Sequence, residues 1–591
     1  MRYQSLAAAM NLGSAVLALH TQQFPVSTTG EAGGRPLNIA NPNNDKLHSF
    51  GFGSKIEQWS LDEGPAENAT GNLIFDTVHS LLQHWPNTRY RNGHNIIPGT
   101  IPIGTLLYHG TTRNAIPSEP EWTATDPEHS LAFARGDNTG WHLTLAATRP
   151  LKVLYFDGSS AAKVSEGTMD IQDIIAWGEV QPERVLDENS RITDLCRWGK
   201  KFGIDGFARM EMDFEVMLCD FTAGVEVVSF LHVRVLWKDN NRDPPKNRRP
   251  LPPSPELWSR MVEAMHSGSW HNRYPGESRI VLDLAGLVSL YDIALAPSLV
   301  PVRAGLERRD HRVFGISPED ISQLMRKLTE VISRPDPGSG IDWKALTHVI
   351  VDRYADRLEL VRHLLNFTPS DPQELLQRAK LVQTQLRVML APYLLDATVV
   401  PSADTPGLHP LQWASPVFRL CATTHTTSDD ISKRLLLKSI EDTMREICRV
   451  TTNIWAVGVM SGFDTLFPIE LDGEPDVAQI MNDWRQDTQK LMSWLDWSIW
   501  IKCRPACGPE EICYLPTWPL NAPTPSPSRE PPQDPQNTTD ALAEVNHLAD
   551  QVGHPPEGSA IADTFSSIGT PMEEWKRPQP KCVRRLPPLQ F

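Results

Sequence analysis

The apolar positions of the chain follow two different periods. In the first 236 residues, short runs of β-forming residues bounded by Gly, Pro and Asn predict strands. These runs lie at 106–107, 122–125, 141–147 and 151–156. Apolar residues at helical spacing predict helices at 71–85, 126–133, 168–180 and 194–202. Strands and helices mixed in this way indicate an α+β fold class for this part of the chain.

Beyond residue 256, helical spacing dominates. One helix is marked by Ser317 as N-cap, Pro318 at its first position and Pro335 as its stop. Further helices are predicted at 342–366, from about 371, at 429–459 and at 477–500. Residues 281–291 fit either a helix or a strand. The pattern therefore predicts an all-α helical domain after the mixed part.

Composition sets the boundaries between these parts. A chain of 591 residues exceeds the size that one core supports, so two or more domains are expected. Many of the 50 prolines fall in two segments, which are typical of a linker and a disordered tail. The predicted order is a signal peptide at 1–20, a flexible segment at 21–56, a mixed domain at 57–236, a Pro-rich linker at 237–255, a helical domain at 256–520 and a largely disordered tail at 521–591.

Charge and the first residues bear on location and partners. The net charge of −16 argues against a nucleic-acid or anionic-membrane partner, since both require a basic surface. Arg2 followed by an apolar run up to residue 20 resembles a secretory signal peptide and is too short and too polar for a transmembrane span. The alternative is an ordinary N-terminal helix. We expect a secreted protein, and three glycosylation sequons, at Asn68, Asn366 and Asn537, fit that location.

The 8 cysteines are not arranged as paired CxxC zinc ligands. Cys503, Cys507 and Cys513 could bind a metal, but a signal peptide favours a disulfide knot. Cys196 lies in a predicted helix and Cys219 in the strand that follows, so a disulfide between them is expected. Two buried free thiols are the alternative.

The stretch 104–135 carries the clearest polar signature. Tyr108-His109-Gly110-Thr111-Thr112 ends an apolar run, and Asp126 then begins a helix as its N-cap. This arrangement resembles the ADP-ribosyltransferase fold. The resemblance implies that His109 bonds the ribose of NAD, that Gly110 holds the nicotinamide amide, and that Thr111 and Thr125 also contribute to the NAD site. The alternative is a polar strand end followed by an ordinary capped helix.

A second segment extends this resemblance. Glu211, Asp213 and Glu215 are spaced by two, so a strand would carry all three carboxylates on one face. In ADP-ribosyltransferases a glutamate that opens such a strand stabilises the cationic transition state. Glu215 is the best match, with Glu211 and Asp213 as fallbacks, and a solvated edge strand is the alternative. We expect His109 and Glu215 to enter one pocket on neighbouring central strands.

The resemblance departs from the family at one position. In the family, a tyrosine or serine between the two motifs packs on nicotinamide. No residue of this chain stands out at that position, and Thr125, Ser130 or Phe133 could fill it. No metal is expected, because His266 and His271 have no companion carboxylate pattern and are interpreted as ordinary polar histidines. The chain contains no HExxH, GxSxG, phosphate loop or GxGxxG, which weakens protease, esterase and kinase hypotheses.

Two further runs resemble a group of uncharacterised secreted fungal proteins. These are LYHG…PEW…PEHS…VLYFDGSSAAK…GTMD and the C-x3-C-x5-C-Y-[LI]-P-x-W-P knot. The leading hypothesis is a secreted ADP-ribosyltransferase-like domain, with NAD as substrate and an unknown acceptor, fused to a helical domain. A non-catalytic secreted binding or structural protein with the same fold is the alternative. RNA phosphotransfer is a third hypothesis, which the acidic balance disfavours.

Overall fold

The computed structural model describes residues 59–134, 139–234, 259, 262–263, 266, 268–335, 341–366, 369, 371–396, 398, 400, 411–426, 435–471, 473–518 and 572–586. The predicted signal peptide, flexible segment and Pro-rich linker lie outside these residues, as does a short helix expected at 540–552. From Trp59 onward the chain forms one compact unit.

A ten-stranded sheet organises the first part of this unit. Its strands are β1 Asn95–Ile101, β2 Leu106–Thr111, β3 Glu121–Ala124, β4 Thr139–Ala147, β5 Leu151–Phe156, β6 Gly206–Met210, β7 Phe214–Leu218, β8 Val225–Arg234, β9 Val281–Leu282 and β10 Val288–Ser289. The order is β10-β1-β5-β6-β7-β3-β2-β4-β8, and β9 also pairs with β1. Only β5 and β6 are parallel among these pairs.

α-Helices form most of the other regular secondary structure in the described residues. They are α1 Gly71–Ser80, α2 Trp85–Thr88, α3 Pro127–Leu131, α4 Asp170–Trp177, α5 Glu188–Lys200, α6 Leu299–Arg303, α7 Pro318–Ser333, α8 Trp343–Asn366, α9 Pro372–Leu390, α10 Ser415–Ala422, α11 Leu435–Met460, α12 Val477–Leu495 and α13 Met572–Lys576. Ser317 caps α7 as predicted, because its side chain accepts the N–H of Asp320. The mixed α+β class is confirmed.

The two faces of the sheet are covered by different helices, so every central strand is buried on both sides. One face packs with α1 and the later helices around Leu107, Leu143, Val216 and many others, and we call it the bundle face. The opposite face packs with α4, α5 and α7 around Leu154, Phe207 and Met217, and we call it the lateral face. Removing these apolar surfaces from water is the main force that holds the layers together.

The sheet and the end of the chain both extend past the boundaries expected from composition. The region 281–291 supplies two short strands, β9 and β10, which pair with β1. Residues 572–586, expected to belong to a disordered tail, instead form α13 and β12 (Lys581–Arg584), which pairs with β11 (Glu511–Tyr514). Trp575 is buried, so apolar burial rather than overall composition decides the structure of this segment.

All eight cysteines form disulfides. The predicted Cys196–Cys219 bond is present, with Cα atoms 5.5 Å apart. The expected knot consists of two bonds, Cys503–Cys513 and Cys507–Cys582. A fourth bond, Cys421–Cys448, was not foreseen and joins α10 to α11 inside the helical core. Within the described residues, no helix is both long and apolar enough to cross a membrane.

Candidate functional site

His109 and Glu215 point to opposite faces of the sheet. Tyr108 of β2, Ala124 of β3 and Glu215 of β7 are paired in one row across three strands. Residues opposite one another in a sheet share a face, and successive residues along a strand alternate faces. His109 follows Tyr108 and is paired with Leu143, so it points to the bundle face. The geometry expected from the sequence, with both side chains in one pocket, is therefore wrong.

The His109 side chain spans the gap between β2 and β3. These strands share a single pair of opposed residues, and the Nδ1 atom of His109 lies 2.6 Å from the Trp122 carbonyl oxygen of β3. The ring also contacts Phe221 edge-on, with centroids 5.5 Å apart. Burial lowers the pKa of His109 below its usual value, against the effect of the Trp122 bond. The imidazole is therefore neutral at pH 7, with Nδ1–H as the donor to Trp122.

The other residues expected at an NAD site have packing roles. A methyl group added at Gly110 would lie 1.9 Å from the carbonyl oxygen of Ser130, so the absence of a side chain lets α3 pack against β2. Thr111 is buried, and its hydroxyl oxygen accepts the N–H of Arg113 at 3.2 Å. Thr125 is fully buried, and its N–H donates to the Phe214 carbonyl at 3.1 Å.

The three predicted carboxylates lie at one hairpin instead of along one strand. β6 ends at Met210 and β7 begins at Phe214, so Glu211 and Asp213 lie in the turn between them. The backbone N–H of Glu211 donates to the Asp213 carbonyl at 2.9 Å and closes this turn. All three carboxylates are buried, and Asp213 has no exposed surface. The alternative of a solvated edge strand is therefore wrong.

The first helix after β3 brings a histidine to this hairpin. His129 of α3 is 2% exposed, and its Nε2 lies 2.9 Å from Oε2 of Glu211. The two atoms are close but not aligned for a hydrogen bond, and neither has a hydrogen-bond partner among the described residues. One ligand atom each of His129, Glu211 and Glu215 lies within 4.8 Å of the others. We call these three residues the inner triad.

A second group lies beside the first. The Nε2 atom of His271 lies 2.9 Å from Oδ2 of Asp126 and 3.8 Å from Oδ1 of Asp213. Asp126 occupies the N-cap position of α3, but its side chain makes no cap hydrogen bond and bonds His271 and Arg279 instead. We call Asp126, Asp213 and His271 the outer triad. The sequence predicts an ordinary polar histidine at position 271, because no companion carboxylate pattern accompanies it and Asp213 lies 58 positions before it.

A buried ionic network supports the inner triad from the lateral face. Arg209 of β6 bonds Glu215 and also Glu188 of α5, the latter through Nη2 and Oε2 at 2.6 Å. Arg191 bonds Glu188 and Asp173, and Lys163 lies 3.9 Å from Glu188. Three cationic side chains therefore face five carboxylates: Asp173, Glu188, Glu211, Asp213 and Glu215. Fixed positive charge is two short of balance before any histidine is protonated.

This imbalance changes proton affinities in the cluster. Burial favours the neutral ring of His129, but Glu211 and the other nearby carboxylates outweigh it and raise its pKa to about 9. Burial raises the pKa of Asp213 to about 7, despite the opposing charges of His129 and His271. Burial also raises the pKa of Glu215, although Arg209 opposes it. Such shifts concentrate at functional sites, although structural ion pairs also produce them.

The fold and the cluster define an α+β protein whose mixed sheet carries a buried histidine–carboxylate centre. Residues 61–142 and 135–241 match the family model of the YPL277C N-terminal domain. Two relatives from Saccharomyces cerevisiae are similar to the chain: the uncharacterized protein YPL277C, 32% identical over 216 residues, and the uncharacterized protein YOR389W, 34% identical over 215. Each alignment covers 28% of this chain, and 44% and 34% of the two relatives respectively.

These matches support a relationship to an uncharacterised fungal family through one part of the chain. The chain spans less than half the length of either relative, so their similarity concerns this part alone. The family model covers the inner triad and ends before His271. No solved structure matches the chain.

Proposed function

We propose that this protein binds a divalent metal ion at the inner triad of His129, Glu211 and Glu215. The observation that carries the proposal is the convergence of three buried ligand atoms, one each from His129, Glu211 and Glu215, within 4.8 Å of one another. A buried imidazole nitrogen and two carboxylate oxygens that converge in this way can share one metal ion, which would replace the proton that His129 holds next to Glu211. Imidazole nitrogen with carboxylate oxygen is a ligand set suited to Zn²⁺, Mn²⁺ or Fe²⁺.

The charge of the cluster supports the same proposal. Buried carboxylates need compensation, and the network around Arg209 lacks two positive charges. One divalent ion supplies both. The competing account supplies them as protons, one on His129 and one on Asp213. The two accounts differ in a measurable way, because only the first predicts stoichiometric metal.

Burial suggests what the ion would do. The three inner ligands are at most 7% exposed, so a large substrate could not reach the ion from outside. An ion at this position would join α3 to the β6–β7 hairpin, with Arg209 orienting Glu215 from behind. A metal-binding protein of this kind also fits the non-catalytic alternative drawn from the sequence.

Metal content and metal-linked stability test the proposal. We expect chelator-treated full-length protein to take up Zn²⁺ or Mn²⁺ stoichiometrically by elemental mass spectrometry, with a rise in Tm. The variant Glu211→Gln should lose both effects, whereas Glu183→Gln, at an exposed position of the same part, should keep them. If Glu211→Gln fails to fold, visible absorption of the Co²⁺-loaded wild type shows whether the protein holds the ion at a specific site. Wild-type protein that takes up no metal would support the proton-based account.

An NAD-consuming site is the second candidate, and one observation favours it. β2 and β3 share a single residue pair, so the ladder between them is short at His109, whose Nδ1 atom bonds the Trp122 carbonyl. The opposite orientation of Glu215 counts against the predicted catalytic pair. Release of nicotinamide from labelled NAD, lost in His109→Ala and insensitive to EDTA, would favour this candidate and an ADP-ribose acceptor. No release would leave the metal site as the function.

We also propose that the protein is secreted. All eight cysteines are paired, which an oxidising compartment permits and the cytosol disfavours. The protein should be found in the culture medium of its native host with no free thiol. Detection inside the cell with titratable thiols would contradict this proposal.

A further inference from the structure

We propose that the outer triad of Asp126, Asp213 and His271 binds a second divalent cation next to the first, which makes the centre dinuclear. This inference rests on the proposed metal at the inner triad. The nearest ligand atoms are Nε2 of His271 and Oδ2 of Asp126, which lie 2.9 Å apart and form a hydrogen bond that a bound cation would replace. Asp213 has no exposed surface, and its Oδ2 atom has no hydrogen-bond partner among the described residues.

Asp213 connects the two triads. Its Oδ1 atom lies 3.8 Å from Nε2 of His271 in the outer triad. It also follows Glu211 by two residues in the same tight turn. A carboxylate that contacts one triad and follows a ligand of the other in the same turn could bridge two cations. The outer group is therefore a continuation of the inner site.

The turn that carries His271 is held firmly against the hairpin. A 3-10 turn spans Gly268–Asn272, and a methyl group at Gly268 would lie 2.3 Å from the Met212 carbonyl oxygen. Asn272 accepts the N–H of Trp85 at 2.8 Å, and the His271 ring contacts Phe214 edge-on at 5.5 Å. These contacts fix His271 before any ion arrives, which lowers the entropic cost of binding.

Contacts from Arg279 orient Asp126 of the outer triad. Arg279 donates to Oδ2 of Asp126 at 2.9 Å and also to both carboxylate oxygens of Glu277. Such outer contacts are typical of carboxylates that ligate metals. This side of the centre also reaches solvent, since the side chains of His271 and Asp126 are 12% and 14% exposed and that of Arg279 is 33% exposed. An outer ion could therefore hold a water molecule, which the sealed inner ion could not exchange.

Metal stoichiometry and magnetic coupling test the second site. Full-length wild type loaded with Mn²⁺ should contain two ions per chain and show the electron paramagnetic resonance spectrum of a coupled pair. His271→Ala should contain one ion and show the six-line spectrum of isolated Mn²⁺. His266→Ala is the matched control, because that histidine lies on the same segment, contacts Trp270 and belongs to neither triad. It should keep two coupled ions.

The possible outcomes separate the two proposals. One uncoupled ion in wild type, retained in His271→Ala, would overturn the second site and leave the inner site standing. One ion that is lost in His271→Ala but kept in Glu211→Gln would overturn the inner site. No bound ion would overturn both. If a variant fails to fold, the electron paramagnetic resonance spectrum of the wild type alone shows whether two coupled Mn²⁺ ions are bound.

Discussion

Arg209 and Glu188 form an ion pair with almost no contact with solvent. The Nη2 and Oε2 atoms lie 2.6 Å apart, and the two side chains are 0% and 1% exposed. The same guanidinium also bonds Glu215 and donates from Nη1 to Oε1 of Gln172 at 3.2 Å. This one side chain thus links the central strands to α4 and α5. Its removal would leave two carboxylates buried without their main cation.

The first prediction concerns this pair. Arg209→Met should lower the free energy of unfolding by about 3–5 kcal/mol, because an uncompensated buried charge costs far more than a pair contributes. Urea unfolding followed by tryptophan fluorescence measures the change. Arg149→Met is the control, since Arg149 is 48% exposed and pairs with Asp205 near the surface. It should cost only about 0.2–1 kcal/mol. Equal losses in both variants would contradict the buried role of Arg209.

Gly110→Ala provides the second prediction. The added methyl would lie 1.9 Å from the Ser130 carbonyl and 2.8 Å from the Ala134 nitrogen, both backbone atoms. We expect a loss of about 1–3 kcal/mol, together with weaker metal binding, because α3 must move and carries His129 with it. Gly473→Ala has no atom within 4 Å of the added methyl and should change neither quantity. If the metal affinity of Gly110→Ala equals that of the wild type, the position of α3 does not determine metal binding.

Asp157 gives the third prediction, a pH dependence. Burial raises its pKa from 3.8 to about 6, although it accepts two hydrogen bonds from Asn95 and one from His94. The folded state therefore holds this proton more tightly than the unfolded state. The resulting stabilisation is complete below pH 3.8 and is lost as the pH rises to about 6, an effect on the order of 3 kcal/mol.

Asp157→Asn removes the titrating group and should flatten this part of the pH profile. The variant should fold, because Asn95 can rotate its free Oδ1 atom toward the new amide. Apparent stability from urea unfolding at pH 4 and pH 6.5 measures the slope in each protein. If the stability changes by the same amount between pH 4 and pH 6.5 in the wild type and the variant, Asp157 is not the source of the pH dependence.

The fourth prediction concerns the bond between Cys196 of α5 and Cys219, just after β7. The two residues are 23 positions apart, so the bond should contribute about 3 kcal/mol by restricting the unfolded chain. Replacing both residues with Ala should lower the stability by about that amount. Mass spectrometry of non-reduced peptides should identify the linked pair in the native protein, and free thiols at both positions would contradict the structure.

Local signals in the sequence predicted local structure well. Ser317 with Pro318 marks the start of α7, where the Ser317 side chain caps the first turn. Asp126 with Pro127 marks the start of α3, although the Asp126 side chain makes no cap hydrogen bond. The Cys196–Cys219 bond also followed from neighbouring elements. Each of these predictions needed only residues that are close along the chain.

Features that depend on distant residues could not be predicted in this way. The face to which His109 points is set by its register with Leu143, which no local pattern specifies. His271 reaches Asp126 across 145 positions, a distance that no local pattern spans. Asp126 illustrates the limit most clearly, since it was correctly placed at a helix start but its carboxylate serves another contact. The candidate site was therefore found only in part from the sequence.

The disulfide between Cys507 and Cys582 limits where the C-terminus of the protein can be truncated. Composition suggests ending an expression clone near residue 520, yet that cut would remove β12, the buried Trp575 and the partner of Cys507. The remaining thiol would then be available for mispairing with another molecule. Conversely, a protease that cuts once between these cysteines would leave two polypeptides that separate only after reduction. A reducing gel alone would then suggest a truncated protein when its final strand was still attached.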